Sequence, residues 1–155
     1  MDLGTEIGPV SGDPEPNFIA AFHDALREDM RQLRRADEQT RELLMPSIGR
    51  EWIEACRRGV AKTIQLFIDH GMDVNYLDPR TGESALHTAA GSGARQSVRI
   101  LLRSGSCDFL VRDRAGRLPS ECAYLFGGDV ALARLLGNKE RKQAAAQGIS
   151  IARRP

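Results

Sequence analysis

Three pairs of glycines stand 34 residues apart: Gly59 and Gly93, Gly71 and Gly105, Gly82 and Gly116. The residues between them keep the same interval. GVAKTIQLFIDHGMDVN (59–75) aligns with GARQSVRILLRSGSCDF (93–109), and Ile64, Leu66, Phe67 and Ile68 fall on Val98, Ile100, Leu101 and Leu102. A weaker third copy follows as GGDVALARLLG (127–137). A fixed period between roughly 20 and 50 residues marks a stacked-repeat architecture, because one such unit cannot bury its own apolar face.

Each copy reads as two helices and a turn-rich finger. Ser84–Ala90 is a short helix of small residues closed by glycine. Gln96–Arg103 is a longer apolar helix with Gly105 placed as its C-terminal cap. The stretch MDVNYLDPRTG supplies the Asn, Asp, Pro and Gly that turns require. Only 5% of residues are aromatic against 41% hydrophobic, so the core must be built from Ala, Leu, Ile and Val, which favours close helix packing over a β-sandwich. A length of 155 residues fits one domain.

The segment Gly82-Glu-Ser-Ala-Leu-His-Thr-Ala-Ala-Gly-Ser-Gly93 resembles the signature of the ankyrin-repeat family, departing from it at Ser84 and Ala85. Gly71-Met-Asp-Val-Asn75 resembles the family's finger with one departure. The third copy, Gly116 to Gly127, keeps both glycines, Pro119 and Ala123, but has Ser120-Glu121 in place of Leu-His. The first copy keeps Ala55 and Gly59, has Trp52 in the Leu position, and has no finger before it. The resemblance implies an all-α, ankyrin-like helical solenoid of about three repeats. The expected divisions are a flexible leader over 1–16, an N-terminal amphipathic helix over 17–45, the repeat domain over 47–147 and a flexible tail over 148–155. Asp13 or Asn17 is placed to cap the first helix, and Pro46 to end it or force a turn. Phe18, Ile19, Phe22, Leu26, Met30 and Leu33 form one face of that helix, which is expected to dock on the first copy, where no earlier unit covers Trp52 and Ile53. The charge contrast favours this. Residues 1–45 carry five Arg against ten acids, and residues 46–155 carry 17 basic residues against 11 acids.

In such a repeat Leu86 points into the core, and His87 bridges to Ser84 and to backbone groups rather than acting as a catalyst. The three histidines are scattered and no CxxC occurs, so no metal-ligand spacing exists. His70 suits a helix C-terminus and His23 a solvated face, as does the pair Asp37-Glu38. Cys56 is expected to be buried, Cys122 partly exposed, and Cys107, in a finger, the most reactive. Gly91-Ser-Gly93 and Gly127-Gly128 lack the lysine and spacing of a phosphate loop. No cofactor is implied, and the chain is not read as an enzyme.

The resemblance implies a non-catalytic protein-interaction module, an adaptor or an inhibitor, working through the fingers and short helices. From their places in the repeat, the contact positions are Tyr76, Arg80, Glu83, Thr88, Ser92, Arg112, Arg114, Arg117, Leu125 and Phe126. Arg80, Arg112, Arg114 and Arg117 are expected to stay solvated and to attract an acidic protein surface. A net charge of +1, with few aromatics among the basic residues, argues against nucleic acid as partner. No apolar run approaches a membrane span, and three cysteines without a pairing pattern fit a reducing, cytoplasmic setting. The alternative is a structural protein that dimerises through its N-terminal helix, leaving monomer and homodimer both open.

Overall fold

A computed structural model describes residues 16–151 and contains seven helices among them. They are α1 (Pro16–Arg35), α2 (Glu38–Arg58), α3 (Ala61–Asp69), α4 (Ala85–Gly91), α5 (Arg95–Arg103), α6 (Pro119–Leu125) and α7 (Val130–Gln147). α2, α4 and α6 stack as an inner row. α3 and α5 lie side by side behind them, α7 backs α6, and α1 lies against α2 and α3. No helix among the described residues is long and apolar enough to cross a membrane.

The glycine period is a backbone requirement. Gly59 and Gly93 have φ of 73° and 67°, Gly71 and Gly105 have 85° and 70°, and Gly82 and Gly116 have 69° and 75°. Residues with a Cβ rarely adopt this region. At Gly127 the requirement is space instead: an added Cβ would lie 2.5 Å from the Ala90 carbonyl oxygen.

The core follows the repeat. Ala85, Leu86, Ala89 and Ala90 of α4 are buried, as are Ile64 and Phe67 of α3, Val98 and Leu101 of α5, and Leu132 and Leu136 of α7. Polar bonds also recur at the repeat interval. Asn75 donates to the Ser106 carbonyl at 2.8 Å and accepts from the Asp108 amide at 2.8 Å. One unit further on, Gln143 accepts from the Phe109 amide at 2.8 Å and donates to Asp108 at 2.9 Å. Arg95 of α5 reaches Asp129, the cap of α7, through Nε at 2.6 Å and Nη2 at 2.8 Å. These bonds join neighbouring units end to end.

The N-terminal region departs from expectation. The helix expected over 17–45 is two helices, and Pro46 lies inside the second. The break falls at Asp37, in extended backbone (φ −66°, ψ 170°), where its carboxylate accepts from the Thr40 amide at 2.8 Å. Asp37 and Glu38 are solvated as expected, and the Asp37 carboxylate also caps the helix. A proline inside a helix costs about 3 kcal/mol. Here burial of Ile48, Trp52, Ile53 and Cys56 beyond it holds the helix on course. Asn17 sits within α1, which opens with Pro16 at its first position, where a missing N–H costs nothing. Apart from Pro16, the leader and its candidate cap Asp13 lie outside the described residues, as do residues 152–155 of the tail. Gly148 closes α7 with φ 67°.

α1 docks with half its apolar face. Leu26, Met30 and Leu33 are buried, whereas Phe18 is 65% exposed and Ile19 and Phe22 are also exposed. His23 is half-buried and bonds to Thr63 Oγ1 at 2.9 Å, so it is not a solvated side chain. Arg34 donates to His70 Nδ1 at 3.0 Å. His70 is the C-cap of α3, the place its sequence position suited. Among the described residues no ion pair joins α1 to the repeats; its pairs, Arg27–Asp24 and Arg31–Glu28, are internal. Apolar burial of Leu26, Met30 and Leu33 holds α1 in place.

Candidate functional site

The joint at His87 is structural. Nδ1 accepts from the Ser84 amide at 3.2 Å and lies 2.9 Å from the Ser84 hydroxyl. Nε2 lies 2.8 Å from the Arg117 carbonyl oxygen, which can only accept, so Nε2 carries the proton. Burial is the main cause that depresses the His87 pKa below its ordinary value. No nucleophile faces it other than Ser84, whose hydroxyl accepts from the His87 amide in the capping box.

Two of the cysteines are buried and the third is half-buried. Cys56 and Cys122 are fully buried, and burial pushes both thiols up to about 12. The expected partial exposure of Cys122 is therefore not found. Cys107 is half-buried, its thiol donates to the Leu101 carbonyl at 3.2 Å, and burial raises its pKa. It is the most accessible of the three thiols, as its place in a finger suggested, though burial and this bond restrain it. Glu83, Asp113 and Cys122 bring one ligand atom each within 4.8 Å of one another. Asp113 already uses one oxygen on the Arg117 amide and the other on the guanidinium, both at 2.8 Å. Burial opposes its charge, but these bonds outweigh burial and hold its pKa below the usual carboxylate range.

The expected contact residues divide into three groups. Tyr76, half-buried, is the wall between two open clefts of about 540 and 610 Å³ beside α2. Its ring lies over Gly49, where an added Cβ would come within 2.3 Å. Arg50, Ile53 and Arg57 of α2 complete the first cleft with Arg80. Their spacing of three, four and seven residues put them on one helix face, a signal the repeat alignment hid.

The second group is tied to the fold by its own hydrogen bonds, although Arg112 and Arg114 stay exposed. Thr88 is buried and its hydroxyl donates to Glu83 at 3.3 Å, so it offers no contact surface. Arg112 donates to the Gly116 carbonyl at 2.9 Å and lies 3.7 Å from Glu121. Arg114 donates to the Pro79 carbonyl in the preceding finger. Arg117 is held by Asp113. Of the four finger arginines, Arg80 alone has no side-chain bond within the described residues. Arg80, Arg112 and Arg114 are exposed as expected, while Arg112 and Arg114 also brace the fingers and Arg117 is half-buried against Asp113.

The positive excess lies elsewhere. α3, α5 and α7 carry Lys62, Arg95, Arg99, Arg103, Arg134, Lys139, Arg141 and Lys142 against Asp69 and Glu140. Glu140 is buried and accepts from the Ser120 amide at 2.8 Å and its hydroxyl at 2.6 Å.

The third group is exposed at the end of α6. Tyr124, Leu125 and Phe126 are 62%, 59% and 57% exposed. The Arg117 guanidinium lies 4.6 Å from the centre of the Phe126 ring. Ser92, the equivalent of Phe126 one unit earlier, is exposed as well. Tyr124 was missed by sequence reasoning. Its equivalent is Ala90, which is buried under α6, and among the described residues no unit stacks beyond α6 and α7 to bury Tyr124 in turn.

The family model for ankyrin repeats (three copies) matches residues 52–143. The chain belongs to the ankyrin-repeat family. This ankyrin-repeat chain is 31% identical to human cyclin-dependent kinase 4 inhibitor B over 115 residues, 74% of this chain and 81% of that protein. It is 36% identical to human cyclin-dependent kinase inhibitor 2A over 81 residues, 52% of this chain and 51% of that protein. With mouse cyclin-dependent kinase 4 inhibitor B it shares 33% identity over 114 residues, 74% of this chain and 85% of the relative. Repeats of this family and inhibitors among the relatives support a protein-binding, non-catalytic role.

Proposed function

We propose that this ankyrin-repeat chain is an inhibitor that acts by occupying the surface of a folded partner, and that a protein kinase is the partner class. The exposed trio Tyr124, Leu125 and Phe126 carries the reading. Aromatic and arginine anchors dominate binding energy at protein interfaces, and here Arg117 is already fixed against Phe126 by its pair with Asp113. A preorganised anchor loses little side-chain freedom on binding. The fingers extend the surface through Arg80 and Ser92, with Glu83, Arg112 and Arg114 as bracing and Tyr76 at the first cleft. The kinase class comes from the names of the relatives, which are inhibitors of cyclin-dependent kinases. No residue performs chemistry; inhibition is steric and needs no cofactor. The setting is a reducing compartment, the cytoplasm by preference. Self-assembly through α1 gains no support from these relatives, and half of that helix's apolar face is already used on the fold.

The test is binding and inhibition of a purified cyclin-dependent kinase by the full chain and by Leu125→Asp. The exposed substitution should leave the melting temperature nearly unchanged, within about ±0.5 kcal/mol of stability. It should weaken binding about tenfold or more, the range of an interface anchor. Equal affinity would remove the end of α6 from the site. Absence of any association by the wild type would remove the kinase.

A further inference from the structure

We propose that the groove between α3 and α5, on the face opposite the inner helices, binds an acidic, extended segment of a second protein. The groove holds about 350 Å³, with Lys62 on one wall and Gln96, Arg99 and Arg103 on the other, over a floor that includes Ile100. Lys62, Arg99 and Arg103 are exposed, and among the described residues none has an acidic partner. Arg95, on the same helix, shows the contrast. It is matched to Asp129 one unit on, and that pair depresses Asp129 to about 2.

Repeat packing does not call for these charges. The positions equivalent to Arg99 are Gln65 and Ala133, and those equivalent to Arg103 are Asp69 and Gly137. Like charges four residues apart on a helix are mildly destabilising; Arg103 gains from its place in the last turn of α5, but Arg99 has no such compensation. Four residues of helix rise about 6 Å. Alternate side chains of an extended peptide are spaced roughly 6.6 Å apart on one face, so carboxylates at every second position meet both guanidiniums. Arg binds carboxylates through a planar fork of donors. Nucleic acid fits less well. α3 contains only the buried Phe67, and α5 and α7 contain no aromatic residue on which a base could stack.

The proposal is separate from the surface at the end of α6, and its test is separate as well. A fluorescent peptide of about ten residues alternating Glu and Ser is titrated against the full chain at low and raised salt, beside a single-stranded oligonucleotide of about the same length. The wild type should bind the peptide in a salt-sensitive manner. The double variant R99E/R103E should lose about tenfold or more, and R99Q/R103Q an intermediate factor, while Leu125→Asp binds as the wild type does. Melting curves confirm that each variant is folded. Amide shifts on peptide addition should map to α3 and α5. Absent peptide binding, equal binding by both double variants and the wild type, shifts confined to the fingers, or tighter binding of the oligonucleotide would each overturn it.

Discussion

Where the middle unit places Leu86 and His87, the first unit places Trp52 and Ile53. The middle unit must begin a helix at Ala85, directly after a finger, so its first amides need acceptors. Ser84 and His87 supply them, and His87 also holds the next finger through the Arg117 carbonyl. The first unit begins no helix. Its inner helix is the second half of α2, whose start was capped 22 residues upstream of Gly59 by Asp37. Ile53 is therefore apolar and buried, and Trp52 fills the space with its ring 5.5 Å from that of Phe67. Its indole N–H has no hydrogen-bond partner among the described residues. The third unit is intermediate: Glu121 replaces His87 and accepts from the Leu118 amide at 3.4 Å. The His joint is thus a device for starting a helix inside a stack, needed where the chain enters from a finger and dispensable where a helix is already running.

The largest expected effect tests the first unit. Trp52→Ala should destabilise by about 3–5 kcal/mol in chemical denaturation, as removal of a buried aromatic does. A smaller loss than that of His87→Ala would reverse the ranking of the two units. His87→Ala should cost about 1–3 kcal/mol, because it strands the Ser84 amide and the Arg117 carbonyl. Glu121→Ala should cost less, since its bond is long and its helix opens with Pro119.

The two units should also differ in pH response. His87 has a depressed pKa in the folded chain, so below the ordinary histidine value of about 6.5 the unfolded state binds the extra proton. Its stabilisation is complete above that pH and is lost as pH falls. Melting temperatures from pH 7.5 to 5.5 should therefore decline in the wild type and decline less in His87→Gln; parallel curves would deny the joint its buried, neutral state. The smallest effect belongs to Arg95→Ala. Its pair with Asp129 is exposed on the arginine side and such pairs contribute little, so a drop in melting temperature larger than that of His87→Ala would mean that the units are joined by charge more than by packing.

Periodic features were legible in the sequence because their causes are local. The glycines at 59, 71, 82, 93, 105 and 116 each answer to a backbone angle, and Leu86, Ala89 and Ala90 to helix contacts that recur every 34 residues. Aperiodic features were not. Pro46 signalled an end that the burial of residues 48–56 overrode. The finger arginines looked free because their partners are carbonyl groups of Pro79 and Gly116, which a sequence does not display as ligands. Tyr124 stayed hidden because its exposure depends on what stacks on α6, and among the described residues no further unit does. The binding positions fall mostly in this second class, so the fold was read more completely than the site.

The shared helix α2 also governs how the chain can change in length. Units joined by fingers can absorb an inserted residue in a surface turn, where extra length costs little. The elbow at Asp37 and the first unit are joined by uninterrupted helix instead. Each residue added or removed between Pro46 and Trp52 would rotate α1 by about 100° around the α2 axis. Leu26, Met30 and Leu33 would then swing off α3 while the repeats behind them stayed in register. One end of this protein is therefore fixed in length to the residue, and the remainder is not.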